Sequence, residues 1–358
     1  MLLFDLIEKQ KEYDENKILK KAEVIDPVQL PNLKAHLYKL LLQSLKLHNA
    51  GNSLDLQLRN LVDYTRILYN KGLYEQAEKM LDKAKKQAIE FDRSITLLDI
   101  IELEKNIISH SISVNNDARV NKIISETKQV SSRIENINLF SNLLTKLNSF
   151  YVKTGFIRNS SDYNKVREFF YSSLPEYDEK KLSFQEKLYL YYSYISFYFF
   201  VQDFEKGYKY AVRYIRLFDE YPEMVISKTE FYVKGLNNLL VAENKLFLLQ
   251  EFEETYKRLM RVHHIQGINL TEHIQIILFR YKYMHKINHY YMMGDFTGGT
   301  KIISVVENEL ERFALRMDKH DVLVFYYKVA CLYFGSGNFK KALIWLNKII
   351  NSKDVYLR

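Results

Sequence analysis

The chain is poor in the residues that staple or punctuate a fold. Of 358 residues, one is cysteine, four are proline, one is tryptophan and 11 are glycine. The lone Cys331 excludes an intrachain disulfide and a cysteine-ligated zinc site, and it points to a reducing compartment, the cytoplasm. Pro27, Pro31, Pro175 and Pro222 all fall between apolar helical stretches. Proline breaks helix interiors, so this placement leaves room for long uninterrupted helices. No segment alternates cleanly between apolar and polar residues, and the chain reads as all-α. Long hydrophobic runs are also missing. The most apolar stretch, LYLYYSYISFYFFV from Leu188 to Val201, has 14 residues and many hydroxyls, whereas a membrane span needs about 20 apolar residues. It reads as a buried core helix, and no membrane partner is expected. The opening MLLFDLIEKQKEYDE lacks a basic region and turns acidic within five residues, unlike a signal peptide.

The charge has little bias. The net value is +8, and residues 271–358 hold much of the excess, with 13 basic against 8 acidic groups. That imbalance is smaller than a nucleic-acid footprint and reads as a solvated face. The apolar content of 47% is ample for a continuous core.

What is present is a phrase that returns five times: LYNKGLYEQAEKML, FFVQDFEKGYKYA, LLQEFEETYKRLM, YYMMGDFTGGTKII and YFGSGNFKKALIWL. Each copy ends an apolar helix, turns over a few residues and sets an aromatic at the start of the next helix. These aromatics are Tyr74, Phe204, Phe252, Phe296 and Phe339, each followed three positions later by Ala77, Gly207, Thr255, Gly299 or Ala342. The last three gaps are 48, 44 and 43 residues, and the first, 130, is about three periods. Two degenerate copies are therefore expected between Arg93 and Pro175. One pairs ITLLDIIELEKNIISH with Ala118 to Ile134, and the other pairs LFSNLLTKLNSFYVKTGF with YNKVREFFYSSL. Their turns have decayed to VNNDA and FIRNSSDY. After Ser352 the chain enters VYLR, as if another repeat began. Helical patterns over Leu2 to Val24 and Leu33 to Asn49 precede the array.

The phrase resembles the turn of the tetratricopeptide repeat. In LVDYTRILYNKGLYEQAEKMLDKAKKQA, Leu61, Tyr64 and Leu68 form the first-helix stripe, Gly72 and Tyr74 the turn, and Ala77, Leu81 and Ala84 the second-helix stripe. Ala330, Tyr333, Gly337, Phe339, Ala342 and Leu346 repeat the match. The family's repeat has 34 residues; these run to about 44, lack the closing proline, and carry Thr65, Ile195, Glu243, Ile287 or Ala330 at the small first-helix position. The whole chain also resembles bacterial proteins of this repeat class. The resemblance implies a right-handed superhelical solenoid of about seven antiparallel helix pairs over residues 55–358, preceded by an N-terminal helical segment over 1–54. It also implies a non-enzymatic scaffold that binds a protein or an extended peptide on the concave face of its first helices.

In that register the groove positions lie 15, 12, 8 and 5 residues before each anchor. The expected contact residues are Arg59, Arg66, Asn70, Tyr192, Ser196, Asn237, Asn244, Tyr281, Asn288 and Tyr327. Asn244 and Asn288 share one place in adjacent repeats, and an amide offers both a donor and an acceptor to a peptide backbone. Tyr189, Tyr192, Ser196 and Phe199 form a stripe that suits core packing or an aromatic platform.

No catalytic constellation stands out, and neither a cofactor nor a metal is expected. His285 and His289 are one helical turn apart and could share a metal. Lys282 and Lys286 beside them would repel a cation, however, so both read as polar-face residues. Gly298-Gly299 reads as helix packing rather than a phosphate loop. A different reading comes from LPNLKAHLYKLLLQSLKLHN, where Lys34, Lys39 and Lys46 lie on a helix without acidic residues. As the third helix of a helix-turn-helix it would make the protein a DNA-associated, peptide-sensing regulator. The same helix carries Leu33, Leu37, Leu40, Leu41 and Leu45, which are expected to be buried.

Overall fold

A computed structural model describes residues 2–10, 12–22, 24–49, 51, 53–110, 117–155, 157, 159–313 and 316–352. Most of VNNDA, two residues of FIRNSSDY and everything after Ser352 lie outside the described residues. Among those described there is no strand, and eighteen α-helices follow one another. They are α1 (Leu2–Glu8), α2 (Glu15–Lys21), α3 (Leu30–Asn49), α4 (Leu54–Asn70), α5 (Tyr74–Glu90), α6 (Ser94–Ser109), α7 (Asp117–Thr154), α8 (Ser160–Ser173) and α9 (Phe184–Phe200). Then come α10 (Phe204–Glu220), α11 (Glu223–Ser227), α12 (Thr229–Lys245), α13 (Leu249–Arg261), α14 (Glu272–Met293), α15 (Phe296–Thr300), α16 (Ile303–Phe313), α17 (Lys319–Gly335) and α18 (Phe339–Ile350). The chain divides into two compact units, Met1–Ala84 and Lys85–Arg358.

One turn joins most of the helix pairs. A residue with positive φ follows the first helix: Gly72, Asp92, Gln202, Phe247, Gly294 and Gly337. The residue after it donates its N–H five positions back, as in Asp203 to Tyr198 O (2.9 Å), Leu248 to Glu243 O (2.9 Å), Asp295 to Tyr290 O (3.1 Å) and Asn338 to Tyr333 O (2.8 Å). This is the left-handed C-terminal cap that satisfies the last carbonyls of a helix. In three copies the same residue then caps the next helix. Asp203 accepts from Lys206 N (3.1 Å), Asp295 from Gly298 N (2.8 Å) and Asn338 from Lys341 N (3.1 Å). A short polar residue suits both tasks, because its side chain reaches the orphan N–H two or three residues on.

This geometry corrects the register of the third copy. Helix α13 begins at Leu249, not near Phe252. Leu249 therefore corresponds to Phe204, and Phe252 takes the place of the small residues, fully buried. The positions nine residues before each corrected anchor are Thr65, Ile195, Leu240, Ile287 and Ala330, all no more than 2% exposed. The sequence carries no glycine marker for this turn, because Phe247 occupies its left-handed position.

The expected pair of degenerate repeats is a second correction. Ala118 to Ile134 and Leu139 to Thr154 belong to the single 38-residue α7, about 57 Å long at 1.5 Å per residue. Nothing between them stops a helix: Glu135–Asn138 contains neither glycine nor proline. The first stretch, Leu2 to Val24, is two short helices, and the second helix of the fourth copy is divided into α15 and α16. A third correction concerns α3. Leu33, Leu40, Leu41 and Leu45 are 38 to 55% exposed. The cluster beside α3 is small, made of Leu3, Ile18 and Leu30 with Leu37 packed against it. Helices α1 and α2 are each about 10 Å long and cannot cover a helix of about 30 Å.

In the larger unit each helical hairpin packs on the next. Helix α9 lies against α7 and α10, α10 against α12, α12 against α13 and α14, and α17 against α14, α15 and α18. The stretch from Leu188 is the buried core helix expected, with Leu188, Ile195 and Phe197 nearly inaccessible. Aromatic stacks bind it: Phe170 on Phe197 at 4.2 Å and Tyr194 on Tyr210 at 4.2 Å between centroids, each adding about 0.5–1.5 kcal/mol beyond area burial. Glycine sets the closest approaches. A Cβ on Gly299 would meet Leu332 at 2.6 Å and one on Gly235 would meet Tyr214 at 2.3 Å, so Gly299 does serve packing. Gly298 instead sits over its cap, 2.0 Å from Asp295 Oδ2 to such a Cβ.

Phe247 is 77% exposed and holds φ of 56°, a conformation that costs a residue with a side chain about 1–2 kcal/mol. Phe247→Gly is therefore expected to raise stability by roughly 1 kcal/mol, seen as a higher urea midpoint with an unchanged slope. A lower midpoint would show that the phenyl ring contributes packing.

Candidate functional site

Helix α12 is the centre of the candidate site. Counting back from Leu249, its outward positions become Lys234, Asn237, Val241 and Asn244, and all four are partly exposed. Leu240, placed on this face by the uncorrected register, is fully buried. Asn244 and Asn288 consequently do not share a position. Asn244 stands three residues before its left-handed residue, Phe247, and Asn288 six before Gly294. Asn244 corresponds instead to Phe199 and Tyr291, and Asn237 to Tyr192 and Met284.

A row of hydrogen bonds runs from α12 through α14 to α17. His285 Nε2 lies 2.9 Å from Asn237 Oδ1, Asn288 Nδ2 lies 3.4 Å from His285 Nδ1, and Lys328 Nζ lies 2.6 Å from Asn288 Oδ1. Only one assignment satisfies every group. Lys328 donates to Asn288, Asn288 donates to His285 Nδ1, and His285 donates from Nε2 to Asn237. The imidazole is then neutral. Burial, reinforced by the Lys328 charge, holds its pKa down at about 3. Burial also lowers the Lys328 ammonium to about 8, the nearby Lys245 charge adding to the effect and Cys331 opposing it.

The expectation of two polar-face histidines fails for His285, which is 2% exposed. His289 points elsewhere, with Nε2 2.9 Å from Glu253 Oε1, so the two rings do not face one centre. Among the described residues no cluster of three or more metal-ligating side chains occurs.

Next to this row lies a cavity of about 500 Å³ between α7, α9 and α12. Tyr151, Phe199, Phe200 and Phe204 give it aromatic walls, Ile195 and Val241 add aliphatic surface, and Ser196, Asn238 and Lys245 supply polar groups. The Asn238 amide helps the phenolate form of Tyr192, yet burial outweighs it and pushes the phenol up. Asn238 Nδ2 itself is buried and makes no well-formed hydrogen bond. Lys245 holds its ammonium 5.6 Å from the Phe204 ring centroid.

Of the residues expected to contact a partner, Tyr192 and Ser196 line the cavity, and Asn237 and Asn288 meet in the hydrogen-bonded row. Asn244 is partly exposed beside them on α12. Tyr281 is buried, and its hydroxyl accepts from Arg280 at 2.8 Å. Tyr327 is exposed on α17. Arg59, Arg66 and Asn70 are exposed on α4, in the other compact unit. In that unit Lys34 is held by Glu15 at 3.2 Å and Tyr13 at 3.1 Å, whereas Lys39 and Lys46 are exposed. Asn238, Lys245 and Lys328 lie outside the positions that the sequence register selects. The spacing of Asn238, Val241 and Lys245, at i, i+3 and i+7, would have marked them as one face of α12.

No family model matches the chain, and comparison with curated proteins finds no similar sequence. No helix among the described residues is long and apolar enough to cross a membrane.

Because the folded chain keeps His285 unprotonated, the unfolded chain binds one more proton between about pH 6.5 and 3. The contribution is complete above pH 6.5 and is lost as pH falls toward 3. Urea titrations at pH 7, 5.5 and 4.5 are expected to show a shallower decline in His285→Gln than in wild type. Equal slopes would mean that His285 protonates in the folded state.

Proposed function

We propose that the protein is a non-enzymatic binding scaffold of the tetratricopeptide-like kind, working in the cytoplasm. It holds an extended peptide or a segment of a partner protein along the face formed by α9, α12, α14 and α17. In this reading the helix hairpins continue as a superhelix whose first helices line a groove.

The observation that carries the reading is the α12 face. Among the described residues, Asn237 Nδ2 and both ends of the Asn244 amide have no hydrogen-bond partner, and both residues are partly exposed. Amides seven residues apart on one helix lie about 10 Å from each other along its axis, close to the span of three extended residues. Each can pair with a main-chain amide of a bound strand, while the adjacent aromatic cavity can receive a side chain. Asn288 supports the surface from beneath, by fixing His285 and thereby the orientation of Asn237.

A displayed library of random peptides is the direct test. Enriched peptides are expected to bind Asn237→Ala/Asn244→Ala at least about tenfold more weakly, the loss of one or two hydrogen bonds to a desolvated backbone. Absence of enrichment, or equal affinity for the double variant, would reject this face. Asn288→Ala is unsuitable for this purpose, because it removes the acceptor for Lys328 as well.

A further inference from the structure

We propose that the cavity between α7, α9 and α12 binds an apolar carboxylate, an alkyl or aryl body of small-molecule size with a single anionic head. This goes beyond the peptide reading and stands without it, since it needs the cavity alone.

Size and walls define the body. About 500 Å³ falls within the range of small-molecule sites, about 300–1,000 Å³. Tyr151, Phe199, Phe200 and Phe204 present ring carbon, and Leu147 and Val241 aliphatic carbon. Such walls favour a hydrophobic ligand and exclude a highly polar one.

Charge defines the head. Among the described residues, no aspartate or glutamate lines the cavity. Lys245 lies on its wall beside Phe204 and forms no ion pair among the described residues. The Lys245 ammonium therefore makes the field at this wall positive. An amine would be repelled there, and an anionic group attracted. Hydrogen bonding points the same way. Asn238 Nδ2 is a buried donor on the cavity wall that makes no well-formed hydrogen bond among the described residues, and a buried donor left poorly paired is destabilising. A carboxylate offers one oxygen to Asn238 and the other to Lys245. The chemistry is shared by a free carboxylic acid and by an apolar residue beside an acidic one in a peptide.

Calorimetric titration of the full chain with octanoate and 4-phenylbutyrate tests this directly. Octanamide and 4-phenylbutylamine serve as matched neutral and cationic probes. The acids are expected to bind at least about tenfold more tightly than either control, because an ionised acceptor strengthens both hydrogen bonds. Lys245→Glu, at an exposed position, is expected to weaken the acids by a similar factor and to spare octanamide. Val241→Trp is expected to abolish binding of all probes by filling the space; if circular dichroism shows that it does not fold, Lys245→Glu decides. Tighter binding of acetyl-Phe-Asp-amide than of 4-phenylbutyrate would identify a peptide as the source, and the reverse order a free acid. The proposal is overturned if the acids do not bind, if octanamide binds as well as octanoate, or if Lys245→Glu leaves the acids unaffected. Failure of this experiment together with success of the peptide selection would leave the α12 amide face intact.

Discussion

The hairpins of this protein depend on a single residue held at positive φ at the end of a helix. That residue lets the following N–H reach back five positions and close the helix, and it turns the chain so that the next helix starts two residues later. Where the closing residue is Asp or Asn, it also caps the new helix, so one side chain ends one element and begins another. The geometry is local, but its consequence is not. It sets which positions of the first helix face inward, and hence which five residues are fully buried and which line the outer face.

On that face, polarity is organised by a neutral imidazole. Lys328, Asn288 and His285 each donate to the next group in a row that ends on the Asn237 carbonyl oxygen. Protonating His285 would leave Nδ1 facing an amide donor and place a second cation near Lys328, so burial and charge act together. The row ties α12, α14 and α17 with directional contacts where apolar packing alone would allow sliding. Glu243 is a neighbouring case of buried polarity. It accepts from Thr255 at 2.9 Å, its second oxygen has no partner, and burial pushes its carboxyl up to about 8. It is a neutral acid at neutral pH, set beneath the surface rather than on it.

Legibility in the sequence followed the chemistry of the turn. The copies at Tyr74, Phe204, Phe296 and Phe339 were readable because glycine or a capping Asp or Asn marks the spot. At Phe247 neither marker occurs at the turn, and a register three residues off followed, taking Leu240 to the surface and pairing Asn244 with Asn288. The long α7 is hard to read for the opposite reason. The period of the other copies predicts a break, but the residues there contain no signal to stop a helix. The leucines of α3 show a third limit, because an apolar stripe states that a face can be buried and not what is long enough to bury it.

Composition, proline placement and the recurring phrase were sufficient to establish an all-helical chain and most helix starts. These are matters of local backbone preference and helical periodicity, which the order of residues carries directly. Tertiary structure alone decided that His285 is neutral and buried, that Asn288 is spent on holding it, and that Asn238 and Lys245 meet residues of α7 and α9 around a cavity. Those facts depend on burial and on groups brought together from distant parts of the chain, Tyr151 and Lys245 among them, and sequence spacing carries no measure of either.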